Sequence, residues 1–153
     1  PLASLPPSKT KLNELCVYNS RVILDNMVEG VKTALAHDIP VGLGTDASCP
    51  FATQYNMWRE LWYFKTYAGV SNEFAVHTAT LKNAQILGID EITGSITPGK
   101  SADLIVLKEN PYKDLRALRS VDAVMVRGRL TDRPKVKKNE EIEAELDSLM
   151  KGL

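Results

Sequence analysis

Pro40-Val41-Gly42-Leu43-Gly44-Thr45-Asp46-Ala47-Ser48 is the stretch on which the reading of this chain turns. It is a short apolar run that follows a proline and ends on a threonine and a carboxylate. Residues 41–44 suit a short buried strand, with a helix before it and a helix after it. A helix, a tight connection and a buried strand make half of a repeating α/β unit. The glycines weaken a strand by propensity, but they make sense where another backbone or a ligand comes close. Asp46 falls just past the strand's end, and two readings of it are open. At the C-terminal edge of a (β/α)8 barrel a carboxylate can bind a metal or take a proton from metal-bound water. It can equally cap the loop that follows through that loop's own backbone.

Upstream, residues 1–18 read as irregular, with Pro6-Pro7 among polar residues. From Ser20 onward Leu24, Met27, Val28, Val31 and Leu35 recur on one helical face, with Asn19 or Ser20 as the cap. Pro40 disfavours helix at Ile39, so this helix fades near His37-Asp38. Downstream, Met57, Leu61 and Phe64 predict a helix over 56–67 that ends at Gly69. Ser71 caps a third helix with Glu73 in its first turn. Val76, Ala79, Asn83, Ile86 and Leu87 share one side of it, and Gly88 stands at its C-cap.

The pattern changes at Ile92. Residues 92–96 lead to a Pro98-Gly99 turn, 102–107 read as a strand, and Val121–Val126 as another that Arg127-Gly128 turns toward Leu130. Ile142, Leu146, Leu149 and Leu153 make an amphipathic helix over 140–150. The expected organisation is 1–91, 92–135 and 136–153: a mainly helical unit, a small β unit and a helical tail.

With 153 residues, 44% apolar and 25% charged, the chain can bury one real core. A formal net charge of zero gives no basic surplus for nucleic acid or an anionic membrane surface. No apolar run approaches the roughly 18 residues of a membrane span. The start has no signal-peptide pattern, and without an initiator Met the chain is expected to begin inside something longer. Cys16 and Cys49 form no CxxC; free thiols fit a cytoplasmic setting.

The order of these segments carries a family likeness. Val-Gly-Leu-Gly-Thr-Asp, then His77-Thr78-Ala79-Thr80-Leu81-Lys82-Asn83-Ala84, then the run from Gly94-Ser95-Ile96 through Pro98-Gly99-Lys100 to Ala102-Asp103-Leu104-Ile105-Val106-Leu107 resembles the C-terminal end of the amidohydrolase superfamily. The imidazolonepropionase-related and prolidase-like members are the most similar, over about Ser20 to Leu130. The resemblance implies an α/β fold: the last one or two units of a metal-dependent (β/α)8 barrel over 1–91, and part of a small β-sandwich over 92–135. It implies that Asp46 is both the catalytic proton shuttle and a metal ligand, with a divalent metal, zinc, as cofactor. The reaction would be hydrolysis of non-peptide C–N bonds or of small dipeptide-like amides by metal-activated water, on a small-molecule amide or dipeptide-like substrate. A deaminase of the same fold and a non-catalytic assembly module are the alternatives.

One departure is large. The family needs a His-x-His pair and usually further histidines, and this chain has only His37 and His77. A whole barrel also takes roughly 250 residues. The chain alone is therefore expected to be inactive, and to associate with another copy or with the missing N-terminal part. His37 reads as a helix-terminus histidine and His77 as packed or solvated. Lys82 and Lys100 read as solvated, and Asp103 as bonding nearby backbone. Trp58 and Trp62 form an aromatic ridge or a lid over substrate. Arg59 and Glu60 touch substrate or pair on a helix surface.

Overall fold

The computed structural model describes residues 14–47 and 51–151, with side chains from Tyr18 onward. Helix α1 spans Glu14–Ala36, so it starts well before the expected Ser20. No proline or glycine lies between Glu14 and Ser20, so nothing in the sequence delays the helix to Ser20. It closes with Asp38 at φ 54° and with Ile39 N–H donating to Ala34 O at 2.9 Å. Pro40 then holds the chain extended.

Helix α2, Met57–Ala68, ends on Gly69 in the left-handed conformation, with the glycine N–H on Lys65 O. Helix α3, Asn72–His77, starts at Ser71, whose hydroxyl accepts from Phe74 N–H. The expected single helix is interrupted. A π turn over Thr78–Lys82 separates α3 from α4, Asn83–Ile86. A π turn takes up one extra residue, so inward positions beyond it fall one residue later than the 3.6-residue period predicts. Ala84 is buried, while Ile86 and Leu87 are 49% and 69% exposed.

The largest correction concerns 41–44. These residues are extended but form no strand. A strand is defined by its ladder partners, and no strand of the described residues lies alongside them. Val41 and Leu43 still pack inward. With Val31 and Leu35 they lean on a core of Leu61, Phe64, Ala75 and Leu115. Met27, expected on the same face of α1, stays 61% exposed. An apolar groove of about 390 Å³ remains between α1, α2 and the 41–44 backbone, lined by Leu24, Met27, Val31, Leu43, Phe64 and Tyr67.

The sheet among the described residues is wholly antiparallel. Strands β1 (Leu104–Leu107), β2 (Val121–Val126) and β3 (Arg129–Asp132) run in the order β1-β2-β3. Leu104 pairs with Met125, and Val126 with Arg129 across the two-residue turn. Arg127 and Gly128 both have positive φ, which matches the twist a two-residue hairpin needs. The architecture is thus mixed helix with a small antiparallel sheet. A 3-10 turn, Leu115–Arg119, links the sheet to the helical core through Leu115.

Helix α5, Glu140–Met150, is capped by Asn139, whose side chain accepts from Glu141 and Ile142 N–H. Its inner face is Glu143, Leu146 and Met150. Ile142 and Leu149 of the expected stripe are half-buried, and Leu153 lies outside the described residues. Leu146 is 1% exposed. Leu146→Ala should therefore cost about 3 kcal/mol of unfolding free energy, as large-to-small core changes do. Urea unfolding followed by tryptophan fluorescence measures it, and a change near zero would mean that α5 is not docked in solution.

Candidate active site

Asp46 stands at the end of the extended segment that Pro40 begins. It is exposed, with φ 45°, a left-handed conformation that aspartate tolerates better than most residues. The chain therefore turns at the carboxylate instead of running on as a strand. The backbone it would cap, at 48–50, lies outside the described residues, as does Cys49; Cys16 lies in α1, and its side chain is likewise not described.

Three residues earlier the segment is gripped by a side chain. Leu43 N–H donates to Asn83 Oδ1 at 2.9 Å, and Asn83 Nδ2 donates to Leu43 O at 2.8 Å. One carboxamide thus takes both backbone groups of Leu43. The approach is close: a Cβ on Gly42 would lie 2.9 Å from Asn83 Oδ1 and 3.2 Å from Ile86 Cδ1. Glycine at 42 is what allows the grip. Gly94 does the same beyond the π turn, where a Cβ would meet the Ala84 Cβ at 2.5 Å.

Thr45 opens on a small hollow of about 150 Å³, lined also by Phe51, Thr53, Asn56, Arg59, Glu60 and Tyr63. Arg59 is 3% exposed, so the expected surface position is wrong. Its partners come from α5. Nη2 lies 3.0 Å from Glu143 Oε2 and 2.7 Å from Asp147 Oδ1. Arg119 reaches the other Asp147 oxygen at 2.8 Å. Both guanidiniums stack on Trp58, at 4.6 and 5.1 Å from a ring centroid. Asn56 bonds Glu143 and receives the Trp58 indole N–H. Trp58 is therefore a packed platform beneath two cations, and Trp62 meets Tyr63 edge-on.

Glu60, beside Arg59 in sequence, lines both the hollow and the apolar groove. Burial pushes its carboxyl above the usual range. Burial likewise pushes the Tyr63 phenol up to about 12, against the pull of the Arg59 charge. The Tyr63 hydroxyl is buried and has no hydrogen-bond partner among the described residues.

The remaining candidates do not converge on Asp46. His37 and His77 are exposed. Lys82 is half-buried on the π turn, and Lys100, expected in solvent, ties a loop by donating to Asp90 O and to Ser95 Oγ. Asp103 accepts from Arg127 N–H at 2.6 Å, and this bond first, with the Ser101 side chain second, holds its carboxyl below the ordinary value. Sequence reasoning missed the grip of Asn83 and the burial of Arg59. A polar residue on an otherwise apolar helix face was the available signal for Asn83. Nothing near Arg59 in sequence points to partners some 84 residues on.

Among the described residues no group of three or more histidines, cysteines and acids could hold a metal ion. A stable zinc site takes three or four protein ligands, so Asp46 alone does not make one.

The profile of the amidohydrolase family matches residues 4–131. The chain belongs to the amidohydrolase family. A candidate prolidase from Bifidobacterium longum is similar in structure, with a TM-score of 0.94 and 41% identity over 98% of this chain and 37% of that one. Imidazolonepropionase of Picrophilus torridus is 39% identical over 60% of this chain and 23% of its own length. Guanine deaminase of Escherichia coli is 32% identical over 76% of this chain and 28% of its own. This amidohydrolase chain thus spans less than two-fifths of the relatives it matches. No helix of the described residues is long and apolar enough to cross a membrane.

With one candidate ligand placed, the 153-residue chain should retain far less than one metal ion per chain after dialysis. Elemental analysis checks this, and a value near one would expose ligands missed in this reading.

Proposed function

We propose that these residues form the C-terminal section of a metal-dependent amidohydrolase that hydrolyses small dipeptide-like amides, with Asp46 as the working carboxylate. The observation that carries the reading is the position of Asp46. It ends the segment that Pro40 begins, turns the chain at once, and is exposed next to Thr45, which opens on a small hollow. The likeness to the candidate prolidase covers 98% of this chain. The near-complete structural likeness to the candidate prolidase favours a dipeptide-like amide over a purine ring.

On this reading residues 1–91 are the end of the barrel, 92–135 belong to a small β-sandwich and 136–153 are a helical tail. Asp46 would supply one ligand to a divalent ion, zinc, which would activate the attacking water, with the other ligands coming from outside the described residues. Its carboxylate would take a proton from that water and return it to the leaving nitrogen as the C–N bond breaks. A group in that role contributes about 10²–10⁴-fold.

In the intact enzyme, Asp46→Asn should lower kcat by at least about 10²-fold with the fold unchanged. Steady-state hydrolysis of a Xaa-Pro dipeptide, with circular dichroism as the control, measures it. Turnover close to the parent's would remove Asp46 from the reaction. A parent enzyme that deaminates guanine and leaves the dipeptide intact would move the reading to the deaminase alternative.

The groove beside 41–44 and the exposed Met27 leave apolar surface on the chain alone. Burying one such side chain is worth roughly 1.5–3 kcal/mol. The 153-residue chain should accordingly associate with a second copy when separated from the rest of the protein. Sedimentation equilibrium at micromolar concentration should show a species above 16.9 kDa; a single species at that mass would mean the chain covers its own edges.

A further inference from the structure

We propose that Asn83 is the positioning residue for Asp46, its carboxamide standing in for a neighbouring strand along Leu43. The proposal rests on the reading of Asp46 as the working carboxylate. Among the described residues no strand pairs with Leu43, so its N–H and C=O groups need another partner. At Leu43 both groups are taken by one side chain, at 2.9 and 2.8 Å. A carboxamide side chain is well suited to this. It carries a donor and an acceptor side by side, as a peptide unit of an adjacent strand would. An aspartate there would lack the donor.

Two further observations belong to the same device. Gly42 has no side chain where a Cβ would stand 2.9 Å from Asn83 Oδ1. The π turn over Thr78–Lys82 directly precedes Asn83 and sets the face on which it lies. Asp46 follows Leu43 by three residues, roughly 10 Å of extended chain. The grip therefore acts close to the turn at Asp46 without touching the carboxylate. A proton-shuttling group must be held closely, since a displacement of about 1 Å can cost on the order of 10²-fold in rate.

The role predicts a fall in kcat in folded protein, which a purely structural bond would not produce. In the intact enzyme, Asn83→Ala should lower kcat by on the order of 10²-fold with KM nearly unchanged. Hydrogen exchange of the peptide spanning 40–47, read by mass spectrometry, should quicken in the same variant. Asn83→Asp keeps an acceptor for Leu43 N–H, loses the donor, and should fall between parent and Asn83→Ala. Gly42→Ala should displace the carboxamide and reproduce the Asn83→Ala loss, and the two changes together should cost little more than either. If Asn83→Ala fails to fold, Asn83→Asp and Gly42→Ala carry the test. Folded variants with kcat within about twofold of the parent would overturn the proposal, provided that Asp46→Asn is inactive. An active Asp46→Asn enzyme would instead overturn the reading of Asp46, a separate failure that the same set of assays distinguishes.

Discussion

Arg59 is a buried cation, and the helical half of the structure is arranged around that fact. A guanidinium at 3% exposure is tolerable only with anions against it. Glu143 and Asp147 supply them from α5, and Trp58 lies against the planar group. Withdrawing α5 would leave the charge stranded. The tail is thereby bound to α2 more firmly than its apolar stripe alone would bind it. Asn56 joins the same network and also donates to Thr53 Oγ1. The Asp147 carboxyl sits below its usual value although its burial opposes this, because Arg59 and Arg119 both bond it.

Where structure follows from local pattern, the sequence could be read closely. The tail helix was expected over 140–150 and spans Glu140–Met150; β2 was expected and found at Val121–Val126. Ser71 caps its helix as its residue type suggests. In each case the signal lies within a few residues: a hydrophobic period, a cap, a turn pair. The failures share a cause as well. A strand at 41–44 needs neighbours, and pattern alone cannot say whether they are present. Asn83 was placed on its helix face without any hint that it would reach Leu43, forty residues back. Arg59 looked like a surface residue because its countercharges belong to a helix near the other end of the chain. Asp46 itself was legible as a candidate, by type and place, whereas the groove and hollow around its segment were not.

The family likeness sharpens this division. The segments that carry it are backbone devices as much as chemical ones. Gly42 admits Asn83, Gly94 packs on Ala84, and Lys100 ties the loop from Asp90 to Ser95. Among them Asp46 is the residue proposed above to carry the reaction. Relatives named for different reactions match this chain, as expected where a shared scaffold hosts different sites.

The π turn has a consequence for how this stretch can vary in length. Within an ordinary α-helix one inserted residue rotates everything beyond it by about 100°, which would carry Asn83 away from Leu43. At Thr78–Lys82 the extra residue is already absorbed as a wider turn. A relative one residue shorter there could wind the same turn as plain α-helix and still deliver its asparagine to the same backbone groups. By this geometry a one-residue gap at the turn would leave the asparagine within reach of Leu43, whereas a gap elsewhere in the helix would not.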